Sequence, residues 1–103
     1  MPDDLIRWDV YEISAETSSL VGVKLRGRIR KYGLEKCINI LAENTSDVHG
    51  RVRIAVLKGT DIKLIKDFLK KIVPDSNLKL KLNGVINPVL SKLKVNDELR
   101  YEI

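Results

Sequence analysis

The stretch of sequence that decides the fold is Lys36-Cys37-Ile38-Asn39-Ile40-Leu41-Ala42-Glu43-Asn44. Its apolar residues stand at alternate positions from Ile38 to Ala42, which is typical of a half-buried strand. A polar connection over residues 45–50 then leads into a second alternating run from Val52 to Val56. The pattern therefore predicts a β-hairpin in the middle of the chain.

The same stretch allows a second interpretation, in which the preceding helix continues to Asn44. Leu34, Ile38 and Leu41 stand at i, i+4 and i+7, a spacing that places them on one helix face. That helix would remove one strand from the middle of the domain. We therefore favour the hairpin.

The N-terminal part predicts a strand, a loop and a helix. Large apolar and acidic residues alternate from Trp8 to Ile13, as in a strand, and the pattern breaks at residues 17–19. From Val23 onward, apolar residues recur at helical spacing between arginines and lysines, which predicts an amphipathic helix that ends near Gly33.

The C-terminal part predicts a helix followed by strands. Thr60 and Asp61 are suited to cap a helix, and an apolar stripe runs from Ile62 to Ile72 before the stop at Pro74. Alternating residues then predict strands over residues 78–82 and 99–103.

The order of these elements is strand, helix, strand, strand, helix, strand, with an additional C-terminal strand. It predicts an α+β, ferredoxin-like βαββαβ sandwich, in which an antiparallel sheet carries two helices on one face. The first and second strands then point the same way. The loop at Gly22 to Arg26 and the strand end at Asn44 are expected to meet at one edge.

Length and composition predict one globular domain over residues 1–103. The chain is 44% hydrophobic and 32% charged, and its N-terminus lacks the pattern of a signal peptide. We expect a cytoplasmic protein without a membrane partner, present as a monomer or a weak dimer. Cys37 is the only cysteine and His49 the only histidine, which excludes a Cys/His zinc site; we expect no metal and no cofactor.

The loop before the first helix is the candidate site. Val21, Gly22, Val23, Lys24 and Leu25 form a flexible segment that opens a helix, where unpaired N–H groups and the helix dipole favour an anion. Arg26 in the first turn can close over that anion with two hydrogen bonds. Asn44 brings an amide that can orient a water molecule for attack. The net charge of +5 suits a small phosphorylated ligand.

This loop resembles the phosphate loop of the acylphosphatases, Gly-x-Val-Gln-Gly-Val-x-Phe-Arg. The matching stretch is Ser18-Ser19-Leu20-Val21-Gly22-Val23-Lys24-Leu25-Arg26. The second Gly, the following Val and the Arg agree, whereas Ser18 replaces the first Gly and Val21 replaces Gln. The family also has an Asn near the end of the second strand, which Asn44 matches, with Asn39 as the fallback.

The resemblance implies a metal-free phosphohydrolase that cleaves the carboxyl–phosphate bond of small acyl phosphates. Loop amides and Arg26 would bind the phosphoryl group, and Asn44 would position the attacking water. One alternative is a catalytically silent ligand-binding or interaction module of the same fold. A nucleic-acid-binding domain is the less favoured alternative, because residues 51–57 of the third strand contain no aromatic residue for base stacking.

Overall fold

A four-stranded antiparallel sheet forms the centre of the computed structural model, which describes residues 6–16, 24–47, 50–86, 88–90 and 94–95. Its strands are β1 (Trp8–Ala15), β2 (Ile40–Asn44), β3 (Val52–Leu57) and β4 (Ser76–Val85). They are ordered β2-β3-β1-β4, and each neighbouring pair is antiparallel. The predicted α+β class is confirmed, and the arrangement is compatible with a ferredoxin-like fold.

Within the described residues two helices accompany this sheet, α1 (Leu25–Lys36) and α2 (Lys63–Ile72). Both were predicted from apolar residues at helical spacing. Helix α1 begins two residues after Val23 and continues past Gly33. Gly33 does not end the helix because it is a buried residue of the helix interior.

The predicted hairpin is formed by β2 and β3, and the alternative helix through Asn44 is wrong. Cys37 adopts a left-handed conformation with φ of 57°, which ends α1, and its N–H donates to the carbonyl oxygens of Gly33 and Leu34. Strand β2 then begins at Ile40, so the strand is shorter than predicted at its N-terminal end. Cys37 is exposed between the helix and the strand.

The main core lies between the sheet and the two helices. Helix α1 contributes Leu25 and Ile29, and α2 contributes Ile65 and Leu69. The sheet contributes every second residue of β3, which alternation directs to the same face; these are Val52, Ile54 and Val56. Each such side chain contributes roughly 1.5–3 kcal/mol when it is fully buried.

The direction of the strands brings two chain segments to one end of the sheet. Because β1 and β2 are both antiparallel to β3, they run in the same direction. Ile13, Val52 and Asn44 are register partners in one row across the three strands. The segment that leaves β1 toward α1 therefore starts at the end of the sheet where β2 stops.

The opposite face of the sheet is covered by a short segment after β4. Two small strands, β5 (Pro88–Val89) and β6 (Lys94–Val95), pair with each other there and were not predicted. Leu90 follows β5 and packs against Val10 and Ala55 in a second apolar cluster. The predicted strand at residues 99–103 lies outside the described residues.

Candidate functional site

Helix α1 begins with a first turn that is positively charged and that no side chain of the described residues caps. Lys24 precedes it with φ of 57° and makes no side-chain capping hydrogen bond, and the turn contains no acidic residue. The first N–H groups of a helix have no intrahelical partner, and the helix dipole makes this end positive. Lys24, Arg26 and Arg28 add further positive charge, which is unfavourable at this end unless an anion offsets it.

Arg26 lies on a face of α1 that borders the edge strand β2. It lines a cleft of about 300 Å³ together with residues of α1, of β2 and of the segment after β4. The lining residues are Arg26, Arg30, Leu41, Ala42, Glu43, Pro88 and Leu90. Arg26 and Arg30 stand one helical turn apart on the same face of α1, and both therefore line this cleft.

The guanidinium group of Arg26 is available for a ligand. Arg26 is exposed, and within the described part of the chain its side chain makes no hydrogen bond or ion pair. The cleft around it has a volume at the lower end of the range found for small-molecule sites. One side of the cleft is cationic, and Leu41, Pro88 and Leu90 form an apolar wall.

Asn44 is exposed at the C-terminal end of β2 and pairs in register with Val52. It lies on the sheet face that carries the helices, because Val52 and Ala42, two residues earlier, both belong to the core on that face. Asn44 does not line the cleft around Arg26, although its neighbour Glu43 does. The structure therefore places Arg26 and Asn44 on the same side of the sheet but not in one cleft.

Asn39, the fallback for the water-positioning amide, lies at the opposite end of β2 from Asn44. It precedes the strand and lines a separate cleft with Trp8 and Leu34. Five positions separate it from Asn44, which is about 16 Å in an extended strand. The first turn of α1 does not contribute to the cleft at Asn39, whereas Arg30 of the next turn does.

The predicted phosphate loop is described only in part. Val21, Gly22 and Val23 lie outside the described residues. Lys24 is the exposed residue that precedes α1, and Leu25 is the first helical residue. The side chain of Leu25 is fully buried in the core, so Leu25 can offer a ligand only its backbone N–H.

A buried ion-pair network lies on the sheet face opposite the helices, and the sequence pattern did not predict it. Arg53 of β3 is 1% exposed, and its Nε donates to Oε1 of Glu12 at 2.9 Å. Its Nη1 and Nη2 atoms hold the two carboxylate oxygens of Asp47 at 2.9 and 3.0 Å. Nη1 also donates to the carbonyl oxygen of Leu90 at 3.0 Å. The guanidinium group is thereby surrounded by acceptors on all sides.

Glu12 is the shared acceptor of this network. Its second oxygen accepts a 2.6 Å hydrogen bond from Nη1 of Arg51. Burial alone would raise the pKa of Glu12, but hydrogen bonds from Arg51 and Arg53, with the charges of Arg53 and Lys81, hold the pKa below its ordinary value. Glu12 therefore stays ionised in the folded protein down to acidic pH.

No cluster of three or more His, Cys, Asp or Glu side chains with the arrangement of a metal site occurs among the described residues. In the same part of the chain, neither helix has the length and apolar character needed to cross a bilayer. The charged residues that line the candidate cleft are Arg26 and Arg30 of α1 and Glu43 of β2.

Comparison with known proteins yields no relative: no protein-family model, no curated protein and no solved structure matches the chain.

Proposed function

We propose that the protein is an acylphosphatase-like phosphohydrolase with a ferredoxin-like βαββαβ topology, which hydrolyses small acyl phosphates without a metal. The resemblance in the sequence suggests this activity, and the start of α1 supports it. The observation that carries the proposal is the exposed Arg26 beside a helix N-terminus that, within the described residues, has neither a side-chain cap nor an acidic residue in its first turn. Such an end favours a phosphate-sized anion.

The proposed chemistry needs two tasks from the protein. The N–H groups at the start of α1 and the Arg26 guanidinium bind the oxygens of the phosphoryl group and offset its charge. The Asn44 amide orients a water molecule, whose oxygen forms the new bond to phosphorus. The bond from phosphorus to the acyl oxygen breaks, and the carboxylate leaves with the electron pair without needing an acid. The water protons pass to phosphate and solvent.

The leaving acyl group would occupy the cleft beside Arg26. The apolar wall formed by Leu41, Pro88 and Leu90 suits a small acyl chain or ring, and the volume of about 300 Å³ limits its size. Arg30, one turn along α1, is placed to attract further negative charge on the substrate.

A second candidate is a binding module of the same fold that no longer turns over its ligand. Asn44 does not line the cleft that contains Arg26, whereas its neighbour Glu43 does. A water-positioning amide outside that cleft would leave anion binding intact while it lowers the rate of hydrolysis, because small misplacements cost large rate factors.

The test is hydrolysis of benzoyl phosphate in the presence of a chelator, with inorganic phosphate as a competing anion. Arg26→Ala is expected to lower kcat/KM by about 100-fold or more, since it removes a charged group from the transferring phosphoryl group. Arg28→Ala is the matched control, because it removes the same charge from the same helix and Arg28 does not line the cleft. It is expected to keep kcat/KM within about threefold.

Three results separate the possibilities. Turnover that collapses only in Arg26→Ala supports the hydrolase. Binding of inorganic phosphate by the wild type without turnover of benzoyl phosphate supports the binding module instead. Equal losses in Arg26→Ala and Arg28→Ala would show that the general positive charge of α1, and not a site at Arg26, attracts the anion.

A further inference from the structure

We infer that Arg53 is a positioning residue, which holds both the turn after Asn44 and the wall of the cleft in the geometry that hydrolysis needs. This inference rests on the proposed function. Arg53 lies on the face of the sheet opposite α1 and is 1% exposed. It is therefore remote from any ligand at the start of the helix and can act only through the groups that it holds.

The first group that Arg53 holds is the turn that follows β2. Asp47, three residues after Asn44, accepts a 3.0 Å hydrogen bond from Nη2 of Arg53 on one carboxylate oxygen, and its other oxygen lies 2.9 Å from Nη1 in an ion pair. Such a bidentate pair fixes the orientation of the carboxylate as well as its position. Thr45 also joins the turn to β3, through a hydrogen bond from its N–H to the Arg51 carbonyl oxygen. The chain that directly follows Asn44 is thus tied at Thr45 to Arg51 and at Asp47 to Arg53 of β3.

The second group is the segment that walls the cleft. Leu90 lines the cleft, and its carbonyl oxygen accepts a 3.0 Å hydrogen bond from Nη1 of Arg53. Pro88 lines the same wall two residues earlier. Leu90 lies outside the four-stranded sheet, so this hydrogen bond and its apolar contacts with Val10 and Ala55 locate the wall relative to the sheet.

The register of the sheet places Arg53 next to a lining residue of the cleft. Glu43, a lining residue of the cleft, is the register partner of Arg53 on β2, and Glu12 is its partner on β1. One guanidinium group therefore contacts Leu90 in the wall of the cleft, Asp47 in the turn after Asn44 and Glu12 on β1. No apolar residue in its place could hold these three segments together by directional bonds.

The energetics of burial favour an organising role over a purely stabilising one. Replacing a buried ion pair by apolar residues of similar volume is often neutral or stabilising, because the charges lose their hydration. A buried arginine is therefore weak evidence for a contribution to stability. Its directional bonds do specify one arrangement of the groups around it, and here those groups are parts of the candidate site.

The test compares Arg53→Lys and Asp47→Asn with the matched control Arg51→Lys. A lysine at 53 keeps the charge but cannot reach Glu12, Asp47 and Leu90 together, because its single ammonium group lacks the planar fork of arginine. Asp47→Asn removes only the charge on the turn and leaves the buried Glu12–Arg53 pair. Arg51 is 42% exposed and in this network contacts Glu12 alone.

For each variant, kcat and KM for benzoyl phosphate and the inhibition constant of inorganic phosphate are measured, and folding is checked by circular dichroism. Arg53→Lys and Asp47→Asn are expected to lower kcat by about 10- to 100-fold, because the end of β2 and the cleft wall shift. The inhibition constant of phosphate is expected to stay within about twofold, because the anion binds at α1, which Arg53 does not touch. Arg51→Lys is expected to leave both kcat and the inhibition constant of phosphate unchanged.

The outcomes separate this inference from the proposed function. No turnover by the wild type would overturn the proposed function and, with it, the role of Arg53. Turnover by the wild type that Arg53→Lys and Asp47→Asn both retain would overturn the inference alone. Equal losses of kcat and phosphate affinity would also overturn it, since they would show a general loss of structure. If Arg53→Lys does not fold, kcat and the phosphate inhibition constant of Asp47→Asn alone test the inference.

Discussion

The carbonyl oxygen of Gly33 accepts a 2.9 Å hydrogen bond from the N–H of Ile38, while the Ile38 carbonyl oxygen lies 2.9 Å from where a Cβ atom on Gly33 would stand. The Ile40 side chain approaches the same place to 3.3 Å. This contact joins the last turn of α1 to the start of β2. It fixes how the helix that carries Arg26 lies against the strand that carries Asn44.

Gly33→Ala is expected to lower the free energy of unfolding by about 1–3 kcal/mol, although alanine is the better helix former. The added methyl group would meet the Ile38 backbone, which cannot give way without moving β2. Gly27→Ala is the matched control in the same helix, because nothing lies within 4 Å of its Cβ position. It is expected to raise stability by up to about 1 kcal/mol. Urea unfolding measures both, and equal effects would show that the contact at Gly33 is not tight.

Cys37→Gly is expected to stabilise the protein by about 0.5–1 kcal/mol. Cys37 ends α1 at φ of 57° and ψ of 40°, a left-handed conformation that costs a residue with a Cβ atom about 1–2 kcal/mol. Glycine adopts this conformation without the steric cost. The free energy gained in this way exceeds the additional conformational entropy that glycine loses on folding. Cys37→Ala keeps the Cβ atom and serves as the control, so it should show no gain. Thermal unfolding of the two variants checks the difference, and a gain in both would point to the thiol instead.

The elements that the sequence predicted are those with a local periodic signal. The alternation from Val52 to Val56 and the apolar stripe from Ile62 to Ile72 arise because each strand or helix buries one face. The end of α1 was misplaced for a physical reason. Gly33 resembles a C-terminal cap, but it is a glycine because β2 packs against it, and Cys37 supplies the left-handed residue.

The candidate site was predictable only where it depends on chain order. The order of elements predicts that the loop before Arg26 and the strand end at Asn44 share one end of the sheet, and the strand directions agree with this. The network at Arg53 gave no such signal. Two of its three partners lie far away in the sequence, Glu12 at 41 residues and Leu90 at 37, and alternation alone assigns Arg53 to a solvent-exposed face. Arg53 is buried because the segment after β4, which contains Leu90, covers this face.

The Glu12 network predicts a specific loss of stability in acid. Because the pKa of Glu12 is lowered in the folded state, the unfolded chain binds the proton first as the pH falls. The stabilisation is complete above the ordinary pKa of 4.5 and is lost as the pH falls below it toward the folded-state value. Wild-type stability is therefore expected to decline below that pH.

Glu12→Gln isolates this contribution. At neutral pH the variant is expected to be less stable than the wild type by about 3 kcal/mol, because Arg53 loses one of its two carboxylate partners in a buried site. The difference between the two proteins should shrink as the pH falls below 4.5, since protonation removes the same charge from the wild type. Urea unfolding over a range of pH measures it. A difference that stays constant with pH would mean that the Glu12 charge contributes nothing.

Asn44→Ala is expected to lower kcat for benzoyl phosphate by about 100-fold and to change the inhibition constant of phosphate little, because in the proposed mechanism the amide orients the water and does not bind the anion. Asn39→Ala is the matched control: it removes the same amide before β2, in the cleft with Trp8 and Leu34. It should keep kcat within about threefold, because that amide is roughly 16 Å along the strand from Asn44. Loss of turnover in Asn39→Ala alone would assign the water to Asn39 and would require the ligand to bind next to Arg30, which lines both clefts, instead of at the start of α1.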